Sequence, residues 1–293
     1  MSINRISVVM DNVTDVWIVE ELAENEFDVT VINPSANHLS ELERGVETIL
    51  NKKKEKWLIT DSEKRVVLSR IHYETNIVIV KEADIVIESL NQNVEDKKSI
   101  VNKIDRLTAP DVIIVTNAIS YKVSDLQRDL INPERLIGVH FIRNIYEVIR
   151  GEQTGEKIFN NTCSLIHKTG NSYIEVKENH GYVFTRLTLN LLKESVSILD
   201  EKLTTEEELE KLMKRAFHLK MGPLEYADRI GLDEILKQME RLYSKTGDEK
   251  FIPLSRIKSL VEAGYTGMKA GRGFFRYDAR GNRMNQNKKV YSI

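Results

Sequence analysis

Apolar positions in the first half of the chain come in short, nearly unbroken runs. Residues 6–10 read Ile-Ser-Val-Val-Met, the texture of a strand buried on both faces of a parallel sheet. Val16, Val19, Leu22 and Ala23 then recur at helical spacing, marking one apolar face. A second β-branched run covers residues 27–33 and stops at Pro34, which suits a strand end. A strand, a helix and a strand within about thirty residues form a βαβ unit. Further strand runs lie at 83–88, 111–116 and 136–140, with helix-like stretches between them. Such alternation predicts an α/β fold: a Rossmann-like, doubly wound parallel sheet.

The texture changes after Glu178. Helical periodicity dominates at 182–201, 205–219, 223–243 and 253–263, punctuated by Gly181 and by Gly222-Pro223. Thr204-Thr205-Glu206-Glu207-Glu208 has the hydroxyl and the first-turn acids of a capped helix start. The expected organisation is a Rossmann-like domain over 1–178 followed by an all-α C-terminal domain over 179–293. Residues 41–65 are highly charged and include Lys52, Lys53, Lys54 and Lys56. They read as one long exposed helix or helical arm with a solvated face. The polar stretch 278–293 reads as loosely held.

Composition narrows the function classes. With 41% hydrophobic and 30% charged residues, a packed core and a soluble surface are both expected. A formal net charge of −2 argues against a broad nucleic-acid surface. No segment approaches the roughly 20 apolar residues of a membrane span. The one cysteine, Cys163, excludes a disulfide scaffold, suits a reducing cytoplasm and reads as a packing residue in a helix. The six histidines show no ligand spacing, so no metal site is expected.

Several local motifs share one order along nearly the whole chain. They are residues 83–88 (Ala-Asp-Ile-Val-Ile-Glu), Thr116-Asn117 with Ser120, and residues 133–141 (Pro-Glu-Arg-Leu-Ile-Gly-Val-His-Phe). Residues 181–186 (Gly-Tyr-Val-Phe-Thr-Arg), 221–225 (Met-Gly-Pro-Leu-Glu) and 267–274 (Gly-Met-Lys-Ala-Gly-Arg-Gly-Phe) complete the set. In this order the chain resembles the 3-hydroxyacyl-CoA dehydrogenase family. The resemblance implies two domains, a homodimer, NAD as cofactor, and oxidation of a (3S)-3-hydroxyacyl-CoA or similar acyl thioester.

The same resemblance assigns site residues. His140 falls at the general base and Glu147 at the glutamate that orients it, although the segment between them is about five residues shorter than the family's. A carboxylate on one imidazole nitrogen fixes the tautomer, so the other can take a hydroxyl proton. Taken alone, His140 reads as a buried strand-end group bonded to backbone. Asn117 falls near the nicotinamide, Lys97 at a cofactor contact, and Gln92 on a family glutamate after the fourth strand. Ser120 and Thr185 face the substrate in the family frame, and Ile119 replaces a substrate-binding serine. His167, His180 and His218 lack such context and read as structural or surface groups. Gly264, Gly267, Gly271 and Gly273 follow no strand, so they read as a closing turn of the helical domain.

The cofactor turn is altered. Where the family carries Gly-x-Gly-x-x-Gly after strand one, this chain has Met10, Asn12 and Asp15. Glycines there allow a tight turn and close approach of the pyrophosphate. Asp11 and Asp15 instead bring negative charge to a helix N-terminus that would otherwise attract an anion, and Asn12 or Thr14 can cap it. The acid that holds the ribose is Asn33, a weaker acceptor. Two expectations follow. One is a working oxidoreductase that binds NAD through Asn12, Asn33, Gln92 and Lys97 in a variant way. The other is a homologue that binds an acyl thioester or a protein partner without hydride transfer.

Overall fold

The computed structural model describes residues 3–90, 93–117 and 121–284. Its contacts divide the chain into two units, Met1–Tyr182 and Val183–Ile293.

The first unit is built on one eight-stranded sheet. Its strands are β1 (Arg5–Met10), β2 (Asp28–Ile32), β3 (Ile71–Glu74), β4 (Ile85–Ser89), β5 (Ile113–Thr116), β6 (Leu136–Ile142), β7 (Ile145–Arg150) and β8 (Ser172–Lys177). They lie in the order β3-β2-β1-β4-β5-β6-β7-β8. Every pairing is parallel except β6 with β7. The helices are α1 (Val16–Glu24), α2 (Ala36–Glu55), α3 (Asp61–Ser69), α4 (Val94–Leu107), α5 (Val123–Gln127) and α6 (Glu156–Lys168). Successive strand side chains point to opposite faces, and each face has its own core. Ile6, Val8, Ile85, Ile87, Ile113 and Val115 pack with α1, α2 and α6. Val9, Val86 and Ile114 pack with α4 and α5 on the other side. This two-sided burial explains the unbroken apolar runs of the parallel strands.

Three strands escape the sequence pattern. In β3 only Ile71 is buried, and in β8 only Val176, so neither carries a long apolar run. β7 is the return arm of a tight hairpin with β6, and Asn144 adopts a left-handed φ of 70° in its turn. The charged arm expected as one helix is two, α2 and α3. They are separated where Trp57 takes a φ of 58° and Thr60 caps α3 in a reciprocal box with Glu63. Cys163 is buried in α6.

The second unit contains α7 (Phe184–Asp200), α8 (Glu206–Ala216), α9 (Pro223–Ile230), α10 (Leu232–Thr246) and α11 (Ser255–Glu262). The expected start of α8 is present: Thr205 accepts from the Glu208 amide at 3.4 Å, and three glutamates fill the first turn. The stretch expected as one helix over 223–243 breaks at Gly231, where φ is 109°. Buried Glu210 of α8 accepts from the amides of Gly222, Leu224 and Glu225 at 2.9, 2.8 and 3.3 Å, satisfying donors at the start of α9 that no helix can satisfy internally. The glycine-rich segment closes this unit around Asp228, whose carboxylate accepts from the Phe274 and Phe275 amides and the Tyr277 hydroxyl at 2.9, 2.9 and 3.0 Å. Among the described residues no helix is long and apolar enough to cross a membrane, and no cluster of His, Cys, Asp and Glu could hold a metal ion.

Candidate active site

Strand order reverses between β1 and β4. In an open α/β sheet the crevice at such a switch point, beyond the carboxyl ends of the strands, is where ligands bind. The chain there comes from four adjacent strands: the end of β1, Ser89 ending β4, Asn117 just past β5, and His140 in β6; the Met10 side chain itself is fully buried in the core.

The hairpin brings His140 and Glu147 together. Backbone pairing places them directly opposite each other, and Glu147 Oε2 lies 2.7 Å from His140 Nδ1. The residues are 7% and 1% exposed, a setting in which a carboxylate holds the imidazole orientation tightly. The short spacing in sequence therefore produces a direct pair, because a two-residue turn leaves the partners in register on one face.

Asn117 follows β5, the strand that pairs with β6. Its backbone amide donates to Glu88 O at 2.8 Å, and its side-chain Nδ2 donates to Ser89 Oγ at 3.1 Å. Its Oδ1 is buried and meets no donor among the described residues. Ser89 gave no signal in the sequence, since a lone serine ending a strand is indistinguishable from many others.

The turn after β1 is closed by its own side chains. Asn12 Oδ1 accepts from the Thr14 amide at 3.0 Å, so Asn12 caps the single turn that precedes α1. Asp15 occupies the N-cap position of α1 but makes no side-chain cap bond. Its carboxyl instead meets the Thr14 hydroxyl at 3.3 Å and the Ser89 hydroxyl at 3.5 Å. Burial pushes it up to about 6, against the opposing pull of the Thr14 bond, His140 and Ser89. Two side chains clamp the turn from outside. Asn33 donates to Met10 O at 2.8 Å and accepts from the Ser35 amide at 2.9 Å. His38 Nε2 donates to Asp11 O at 2.8 Å. Asn33 thus bonds backbone through both ends of its amide.

Lys97 is also engaged internally. It is 2% exposed, and its ammonium donates to both oxygens of fully buried Glu88 at 2.7 and 2.8 Å. Thr116 Oγ1 and the Leu90 amide add 2.7 and 2.9 Å bonds to the same carboxylate. On the charged arm, Lys53 pairs with Glu20 and Glu24 of α1, and Lys54 with Asp61. Thr185 is buried in the first turn of α7 in the second unit. Gln92, Ile119 and Ser120 lie outside the described residues. His167 packs its ring against Tyr173 at 5.3 Å, and His218 is exposed.

A dinucleotide pyrophosphate needs open space, free amides and no negative charge at this turn. Here Asn12 and Asp15 put side chains into the turn, and Asp15 and Asp11 supply carboxylates. The residues present do not fit that group. The unmet acceptor on Asn117 is a different matter, because a buried oxygen without a donor suits a ligand that brings one.

The 3-hydroxyacyl-CoA dehydrogenase NAD binding domain matches residues 16–179, and the 3-hydroxyacyl-CoA dehydrogenase C-terminal domain matches residues 181–277. The first match begins immediately after Asp15. A probable 3-hydroxybutyryl-CoA dehydrogenase of Bacillus subtilis is 31% identical over 290 residues, covering 96% of this chain and 99% of that protein. Another, from Deinococcus radiodurans, is 30% identical and covers 89% and 95%. The crystal structure of (S)-3-hydroxybutyryl-CoA dehydrogenase from Ralstonia eutropha is similar with a TM-score of 0.82 at 31% identity, over 94% of this chain and 100% of that one.

Proposed function

The chain belongs to the 3-hydroxyacyl-CoA dehydrogenase family, and from that premise we propose that it binds an acyl thioester oxygenated at C3, keeps a His140–Glu147 acid–base pair for that oxygen, and does not hold NAD in the family's manner. The observation that carries this reading is the Asp15 carboxyl, half-buried in the turn where a pyrophosphate would sit and directed at Ser89. The 2.7 Å contact from Glu147 to His140 supports the acid–base half. With Glu147 on Nδ1, Nε2 is the atom that takes or gives a proton at the ligand oxygen. NAD supplies a hydride acceptor in the family reaction. A homodimer in a reducing cytoplasm belongs to the same reading, on family resemblance and the single cysteine.

A second reading, a working dehydrogenase that binds NAD in a variant pose, draws on the same histidine pair and on the open acceptor of Asn117. Thermal melting separates the two, since a ligand at a hundredfold excess over its Kd stabilises the native state by about 2.7 kcal/mol. The expected result is a rise in Tm with acetoacetyl-CoA or 3-hydroxybutyryl-CoA and none with NADH. A rise with NADH, accompanied by NADH-dependent reduction of acetoacetyl-CoA that His140→Ala abolishes, would overturn the first reading in favour of the second.

A further inference from the structure

Ser89 stands between two polar side chains at the carboxyl edge of the sheet. Its Oγ is 3.5 Å from Asp15 Oδ2 and 3.1 Å from Asn117 Nδ2. A serine hydroxyl has one proton to give, and an ionised carboxylate can only accept. With Asp15 ionised, Ser89 donates to it and can only accept from Asn117. The Asn117 amide is thereby held with its NH2 toward Ser89. Its Oδ1, buried and meeting no donor among the described residues, is left as a fixed acceptor.

We propose that Asp15 is a positioning residue which, through Ser89, sets Asn117 as an acceptor and makes the site prefer a thioester with a hydroxyl at C3 over one with a carbonyl there. The inference rests on the thioester reading above. A hydroxyl brings a proton for Oδ1, whereas a carbonyl oxygen sets two acceptors against each other. Sites built around one hydrogen-bonding group discriminate strongly, because the wrong ligand leaves a buried polar atom unpaired. Asn117 follows β5, the strand next to the one that carries His140. Asp15 belongs to this chain's altered turn: it stands at a position where the family has glycine, and glycine offers Ser89 no acceptor.

The test is direct binding of three thioesters to the full chain at pH 8: (3S)-3-hydroxybutyryl-CoA, acetoacetyl-CoA, and butyryl-CoA, which has no C3 oxygen. The wild type is expected to bind the hydroxy compound at least about tenfold more tightly than the oxo compound. In Asp15→Asn the new amide can donate to Ser89, which frees the serine proton for Asn117 Oδ1 and turns Nδ2 toward the ligand. The preference should fall to within about twofold or reverse. Ser89→Ala, which leaves the Asn117 amide unheld, should also lose it. Butyryl-CoA affinity should stay within about twofold in both variants, which a merely structural role for Asp15 would not predict. Butyryl-CoA binding with a wild-type ratio near one, or a ratio unchanged in both variants, overturns the role of Asp15. Failure of all three compounds to bind the wild type overturns the thioester reading itself, and the preference with it.

Discussion

Two turns in this molecule each hold an aspartate that burial pushes up to about 6, and they differ in what surrounds it. Asp228 has three donors within 3.0 Å, supplied by the glycine-rich segment that wraps it. Asp15 has two hydroxyls at 3.3 and 3.5 Å and no backbone amide. The glycines differ as well. Around Asp228 they are required by the protein itself: Gly267 has a φ of 103°, and a Cβ on Gly273 would lie 1.9 Å from Asp228 Oδ1. After β1 the family's glycines serve the bound dinucleotide, and here side chains stand in their place without disturbing the pairing of β1 with β2 and β4. A turn whose glycines answer to packing keeps them, and a turn whose glycines answer to a ligand can lose them while the fold persists.

The largest effect is expected at Asp228. Replacing it with alanine strands two amides and a buried hydroxyl, and should lower unfolding free energy by about 3 kcal/mol or more in urea titrations. A loss under about 1 kcal/mol would erase the contrast between the two turns. Gly273→Ala should follow at about 2 kcal/mol, because the added carbon meets a held carboxylate and the backbone has little room to shift. At Asp15 the sign is expected to reverse. Burial pushes its folded pKa up to about 6 from an ordinary 3.8, so the folded state binds the extra proton and ionisation opposes folding. That penalty is fully present above the folded value, fades as pH falls through 6, and is gone below about 4. Asp15→Asn should therefore stabilise the protein at pH 8. A rise of that size corresponds to about 3 kcal/mol, and partial exposure of the residue lowers the expectation to about 1–2 kcal/mol. The gain should vanish at pH 4. Equal destabilisation at both pH values would mean that Asp15 is a structural cap after all.

Much of the architecture was legible in the chain. Strands buried on both faces need apolar residues at every position, so β1, β2, β4, β5 and β6 announce themselves. Strands β3 and β8 each bury one residue and do not. β7 was visible only as the frame around Glu147. The residue types of the candidate site, His140, Glu147 and Asn117, were named from their frame. The partnership of His140 with Glu147 was not legible, because it depends on a hairpin register that a single strand does not specify. Lys97 and Asn33 illustrate the opposite gap. Both occupy family cofactor positions, yet Lys97 is held by Glu88, and Asn33 bonds Met10 O and the Ser35 amide. Nothing local distinguishes a lysine that meets a ligand from one that meets a buried glutamate nine residues away.

By itself, then, the sequence determined the alternation of strands and helices, the passage to an all-α second unit, the family, and the absence of glycine after β1. These are properties of local patterning, written in hydrophobic period and backbone freedom. Tertiary structure alone decided what fills the altered turn and where its charge points. Asp15 meets Ser89 across 74 residues of chain, His140 meets Glu147 across a register, and Asn117 Oδ1 is left without a described donor. Hydrogen bonds and charge interactions act over a few ångströms, so only the folded arrangement of distant segments settles which groups they join.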